Sequence, residues 1–212
     1  MINLFSIPVS QYTLNHDTNK MADYCYEYSR INTTHTRSNR GGYQSTNIIG
    51  VPVFNDLFFD ICKKANLFLQ ECGSIKEENT LTIDYSWFNI NYPGGSNLPH
   101  NHPTADISGV YYIKIPVNSG HLYFSNPNPV GYEWTNRDDI FNINTNTIAA
   151  DSWEFVGQEN LLILFPGWAA HGVGGNASKD NRISISFNMS IKKSGDLDSK
   201  YKRKASENSE IL

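Results

Sequence analysis

Residues 89–116, NINYPGGSNLPHNHPTADISGVYYIKIP, decide how this chain reads. His100 and His102 stand one residue apart here, and an extended chain returns its side chains to one face at every second residue. The two imidazoles can therefore point at one metal ion without distorting the strand. A metal held for chemistry usually takes three protein ligands and keeps other positions open, so a further donor must come from elsewhere. His171 is the best placed. It follows the apolar run 161–165 and the turn Pro166-Gly167, and it precedes Gly172, Gly174 and Gly175. A strand ending beside such a flexible turn can present its side chain into a cavity.

Outward from this stretch, β-rich runs at 81–92, 107–115, 120–125, 160–165 and 182–191 alternate with Gly, Pro and Asn clusters. That is the pattern of a sandwich or barrel, so the expected class is mostly β. Two helices are expected ahead of it. Asp17 or Thr18 can cap the first, which carries Met21, Tyr24, Cys25 and Tyr28 on one stripe. Asn55 can cap the second, whose apolar face is Leu57, Phe58, Ile61, Cys62, Ala65, Phe68 and Leu69, with Gly73 at its C-terminal cap. Residues 2–9 read as an edge strand, and 31–50 as a loop or short irregular hairpin with a solvated His35. The segment 126–159, with Tyr132, Trp134, Phe141, Trp153 and Phe155, is too long for a passive turn. It either covers the mouth of a site or forms a hairpin packed on the outer sheet.

At 212 residues the chain is expected to form one domain over 1–192, with helical support to about residue 80 and a β core from 81 onward. Residues 193–212 are charged, nearly free of large apolar side chains, and expected to be disordered. The net charge is −4 and the basic residues are scattered apart from 200–204, so the footprint of a nucleic-acid binder is missing. No apolar stretch approaches the roughly 18 residues of a membrane span. Cys25, Cys62 and Cys72 are odd in number and lack metal-ligand spacing, which fits reduced thiols. The expected location is the cytoplasm, a host's if the chain is virus-encoded, as the heavy use of Asn and of Lys over Arg hints. A homodimer is compatible with all of this.

Past His171 the chain reads GVGGNASKDNRISISFN, with Arg182 and Ser184 on one face of a β-rich run. An arginine fork beside a hydroxyl suits a carboxylate. With the histidines, this pairs a metal site with a carboxylate clamp. Such a site serves an enzyme whose co-substrate chelates the metal at one end and is anchored at the other.

In these elements the chain resembles the iron(II)- and 2-oxoglutarate-dependent oxygenases, in particular a group with many bacterial and phage-encoded members that shares the pattern HxHP, SGVYY, FPxW, H and RISISFN. The matching residues are His100 to Pro103, Ser108 to Tyr112, Phe165 to Trp168, His171, and Arg182 to Asn188. The resemblance spans about residues 85–190. It implies a double-stranded β-helix, or jelly roll, with N-terminal helices packed on its outer sheet. A looser similarity to prolyl hydroxylases keeps the same register, from Tyr92-Pro93-Gly94 through Tyr111-Tyr112 to Arg182. Carried over, His100, His102 and His171 would hold Fe(II), Arg182 and Tyr112 would hold the distal carboxylate of 2-oxoglutarate, Ser184 would support it, and Tyr92 would line the pocket. The implied reaction consumes O2 and 2-oxoglutarate, releases succinate and CO2, and oxidises a C–H bond of an unidentified small molecule or peptide.

One position departs from the common superfamily pattern, which reads His-x-Asp where this chain has His100-Asn101-His102. A neutral ligand leaves the metal one negative charge poorer. Asp106 is the reserve ligand, but four extended residues span about 13 Å, too far unless the chain turns at Pro103. Taken singly, each histidine is more often a hydrogen-bonded loop residue, and His16 and His121 are read as structural. Two other functions stay open: a binding module that keeps the fold without the chemistry, and a cupin-type metal enzyme that does not use 2-oxoglutarate. Arg182 with Ser184 argues against the second.

Overall fold

The computed structural model describes residues 6–73, 79–127 and 150–193. In chain order the elements are β1 (Ser10–Thr13), α1 (Thr18–Ile31), β2 (Asn39–Gln44), α2 (Asn55–Cys72), β3 (Asn79–His100), β4 (Ile107–Lys114), β5 (Leu122–Ser125), β6 (Ser152–Phe155), β7 (Leu161–Pro166), β8 (His171–Val173) and β9 (Arg182–Lys193). The strands join in one antiparallel sheet in the order β1-β7-β4-β9-β3-β8-β5-β6, with β2 also on β3. The sheet curls because β3 serves two neighbours. Its first part pairs with β9 from Asn79↔Lys193 to Asn91↔Arg182, and its last part pairs with β8 at Asn97↔Val173 and His100↔His171.

Alternation along the strands sorts side chains between two surroundings. On β9, Ile183, Ile185, Phe187 and Met189 are fully buried and join Leu57, Ile61, Ala65 and Phe68 of α2, with Met21 and Cys25 of α1, in the larger core. The alternate residues Arg182, Ser184 and Ser186 face the cavity instead. On β4, Tyr111 packs toward the helices while Val110 and Tyr112 join Leu122, Phe124, Ile163 and Phe165 in a second cluster. The helices thus seal the outer face of the sheet, each large side chain there contributing about 1.5–3 kcal/mol, and leave the inner face free to be polar.

The first helix forms as expected, with the Asp17 side chain accepting the Lys20 N–H at 3.1 Å. The second ends at Gly73, whose φ of 138° lets its N–H reach back to Leu69 and Gln70. Its start differs. Asn55 is already helical, and a 3-10 turn over Pro52–Phe54 leads into it without a side-chain cap. Of the edge strand expected at 2–9, residues 2–5 lie outside the described residues and 6–9 are not strand, Pro8 offering no N–H to a ladder; β1 spans Ser10–Thr13. Part of the expected loop 31–50 is β2, which pairs not with itself but with β3. β3 was expected to stop at 92, yet it continues through Pro93 and two glycines to His100. Gly94 at φ 82° and Gly95, packed on the Gly41 and Tyr92 carbonyls, absorb the bend. Of the segment 126–159, Ser152–Phe155 forms β6 against β5. Residues 128–149, and the tail from 194, lie outside the described residues.

Candidate metal centre

His100 closes β3, His171 opens β8, and the two are direct partners across the ladder. His102 follows in a turn that Pro103 begins, where the Ala105 N–H reaches the His102 carbonyl at 3.0 Å. The ring centroids are 4.5 Å apart for His100 and His171, 5.0 Å for His100 and His102, and 5.3 Å for His102 and His171. One nitrogen from each of the three lies within 4.8 Å of the others, so the cluster could hold a metal ion.

Two of the rings are oriented by their own backbone. His100 Nδ1 is 2.8 Å from the Leu98 carbonyl and His171 Nδ1 is 2.8 Å from the Ala169 carbonyl. A carbonyl only accepts, so each Nδ1 carries the proton and each Nε2 keeps its lone pair. Burial, reinforced by the neighbouring His100, lowers the His102 pKa to about 4. Burial also lowers that of His171 to about 3, against an opposing contribution from its bond to Ala169. Both are neutral at pH 7, the form a metal binds. His102 is held from outside: its N–H donates to the Gly167 carbonyl at 2.7 Å, and Gly167 packs so tightly on the carbonyls of Ala105 and His102 that it leaves no room for a Cβ.

A polar wall runs from this cluster along β3 and β9. Ser184 stands opposite Asn89 and Ser186 opposite Trp87, whose ring is 5.8 Å from that of His102. At the far end lies Arg182, 1% exposed. Its Nη1 donates to Asn91 Oδ1 at 3.1 Å and to Ser184 Oγ at 3.2 Å, and its guanidinium lies 5.1 Å from the Tyr112 ring centroid. Nε has no hydrogen-bond partner and no carboxylate pairs with the group among the described residues. Burial lowers the Arg182 pKa and raises that of Tyr112, and each partly offsets the other, the Tyr112 hydroxyl facing the guanidinium without a hydrogen bond of regular geometry. A buried cation without a counter-ion is costly unless a ligand supplies one.

Tyr92 stands apart from this assembly. It is 41% exposed and absent from the cavity wall, because Asn91 and not Tyr92 has the inward parity of Trp87 and Asn89. The chain does turn at Pro103, but Asp106 accepts the Ile191 N–H at 2.7 Å and is not part of the histidine cluster. His16 lies 3.3 Å from Asp60 and His35 bonds the Gln44 carbonyl through its N–H, both away from the cavity. Asn91, Asn97 and Trp87 were not anticipated. Asn91 both receives Arg182 and donates to Asn97 at 2.9 Å, tying the two parts of β3 together at the bend. The period of two in YSWFNIN was the available signal.

Three imidazoles that could hold a metal ion, with a buried arginine on the same cavity wall of a double-stranded β-helix, are the site of a jelly-roll protein. Residues 85–188 match the family described as "Putative 2OG-Fe(II) oxygenase". Over that segment, just under half of the chain, the sequence is that of an iron(II)- and 2-oxoglutarate-dependent oxygenase. Fe(II), 2-oxoglutarate and O2 are the cofactor and co-substrates of that family. No curated protein matches the chain in sequence. Among solved structures, a Pseudomonas putida prolyl-4-hydroxylase is 15% identical, covering 87% of this chain and 94% of its own, with a TM-score of 0.58. HygX from Streptomyces hygroscopicus, with nickel and 2-oxoglutarate bound, is 11% identical over 86% of this chain and 82% of its own, with a TM-score of 0.57. The carbocyclase SnoK from nogalamycin biosynthesis is 11% identical over 93% and 86%, with a TM-score of 0.61. At such identities these three show a shared fold. No helix among the described residues is long and apolar enough to cross a membrane.

Proposed function

We propose that this protein is a hydroxylase of the family, in which His100, His102 and His171 hold Fe(II) and Arg182 with Ser184 binds the distal carboxylate of 2-oxoglutarate. The observation that carries this reading is Arg182: a buried guanidinium with no carboxylate partner among the described residues, on the same cavity wall as the histidines. The donor set also fits, since neutral nitrogen ligands suit Fe(II) and the fixed Nδ1 protons leave Nε2 to coordinate. When bound, the metal and 2-oxoglutarate together supply the oxidising power of the reaction.

The chain's own residues bind, orient and exclude water. Arg182 and Ser184 anchor a dicarboxylate by one end, so its other end is directed along the β9 wall toward the histidines. Tyr112, stacked on the guanidinium, keeps that end dry and offers its hydroxyl to the same carboxylate. Trp87 and Phe165 supply the apolar wall against which a target carbon can lie. Anaerobic addition of Fe(II) and then 2-oxoglutarate tests the assignment. A visible charge-transfer band is expected for the wild type, and its loss is expected for His100→Ala and His171→Ala. No band in the wild type would favour a binding module that keeps the fold without the chemistry.

A further inference from the structure

The charges around the cavity bear on the chemistry of the primary substrate, a question that rests on the ligand assignment just proposed. Among the described residues, the side chains walling the cavity include no carboxylate, and Arg182 is their one permanent charge. The nearby acids are engaged elsewhere, Asp106 by the Ile191 N–H and Asp84 by Lys192 Nζ, each at 2.7 Å. Three histidines bind a metal as neutral ligands. A divalent metal and Arg182 bring three positive charges and the 2-oxoglutarate dianion removes two, so the loaded site keeps one in excess. An aspartate in place of His102 would cancel it. Excess charge in a half-buried cavity is unfavourable unless a partner neutralises it.

Asn89 Oδ1 on the β3 wall is a buried acceptor without a partner, whereas the hydroxyls of the facing strand are donors. Ser184 Oγ accepts from Arg182 at 3.2 Å and Ser186 Oγ accepts from Asn89 at 3.3 Å, which leaves both hydroxyl hydrogens to give. With Arg182 they occupy alternate residues of β9 and hence one face. The first two serve the co-substrate's distal end. Ser186, the rung opposite Trp87, whose ring lies 5.8 Å from that of His102, makes no hydrogen bond as a donor among the described residues.

We propose that the primary substrate carries a monoanionic group of the carboxylate class, which enters on the Trp87 and Ser186 side of the histidines and neutralises the charge that His102 leaves there. His102 then acts as a charge selector for the substrate.

The test uses the full chain loaded anaerobically with Fe(II) and 2-oxoglutarate, with the visible band as readout. Azide, acetate and the neutral isostere acetamide are added in turn at matched ionic strength. Azide and acetate are expected to shift the band saturably, and acetamide to leave it unmoved. Replacing 2-oxoglutarate by 2-oxovalerate, which keeps the chelating head but lacks the distal carboxylate, adds one more positive charge and is expected to tighten azide by about tenfold. His102→Asp, once shown to form the band, is expected to weaken azide and acetate by about tenfold. If His102→Asp cannot hold the metal, the 2-oxovalerate comparison decides. A band unmoved by any anion, anions bound equally by His102→Asp, or a response to azide alone would overturn the proposal and leave the oxygenase reading standing. A wild type that forms no band removes both.

Discussion

Arg182 illustrates how one residue can be unfavourable for the fold and favourable for a ligand. Its guanidinium is 1% exposed, with two hydrogen bonds to neutral groups and no carboxylate partner among the described residues. Removing an unpaired buried charge is often neutral or stabilising, whereas removing a charged hydrogen-bond donor from a ligand contributes a loss of roughly 1.5–3 kcal/mol. Arg182→Met is therefore expected to raise the 2-oxoglutarate dissociation constant by about ten- to a hundredfold while the metal-free variant is at least as stable as wild type. Calorimetric titration of Mn(II)-loaded protein and urea unfolding measure the two, and a variant that binds 2-oxoglutarate normally would remove the clamp from Arg182. The histidines give a second expectation. His102 and His171 titrate at about 4 and about 3 in the folded chain, against about 6.5 when unfolded. Below pH 6.5 the unfolded chain binds protons that the folded chain does not. Stability present above that pH is then lost as pH falls toward 4. With the metal chelated, the urea midpoint is expected to drop between pH 7 and pH 5, and to drop less in a His102→Gln/His171→Gln variant. Identical slopes in the two proteins would rule out the histidines as the cause.

At the scale of elements, the turn after β7 is a structural part of the proposed metal site although it supplies none of the three histidines. A Cβ on Gly167 would meet the Ala105 carbonyl and would lie 2.7 Å from the His102 carbonyl, both backbone atoms that cannot step aside. Gly167→Ala is expected to displace the His102 turn and weaken metal binding at least tenfold, because donor placement within about 0.5 Å matters. His100 and His171, paired across β3 and β8, should keep their places. Metal titration beside a thermal melt checks this, and unchanged metal affinity would show that the turn is soft. The reading of elements from sequence follows similar physics. The apolar stripe of α2 and the alternation of β9 were legible because each repeats over several turns or rungs. The course of β3 through Pro93, Gly94 and Gly95 was not, since these residues ordinarily end a strand and continue it here only by bending it. β6 and β8, at four and three residues, are too short for any period to register.

For the whole molecule, ligands that bind only the folded state shift its stability by mass action. Mn(II) and 2-oxoglutarate together, each at about a hundred times its dissociation constant, are expected to raise the unfolding free energy by about 2.7 kcal/mol per ligand. A thermal melt with and without each ligand reads it, and 2-oxoglutarate alone is expected to do less than the pair. How much of the site could be read in advance divides along chain distance. His100 and His102 declared themselves by spacing, and Arg182 with Ser184 by parity on one strand. Asn91 and Trp87 declared only their shared parity, because their roles depend on β3 lying against β9, about a hundred residues later. Tyr92 was misplaced for the same reason, its neighbour Asn91 being the one that faces in. That pairing also bears on how the chain is made. Among the described residues β9 is the last strand in sequence, but it lies between β4 and β3 in the middle of the sheet. On a ribosome, both of those strands must wait with an open edge until residues 182–193 emerge. The arginine that would receive the co-substrate arrives with the same strand, so no growing chain can hold a finished pocket before its central strand is in place.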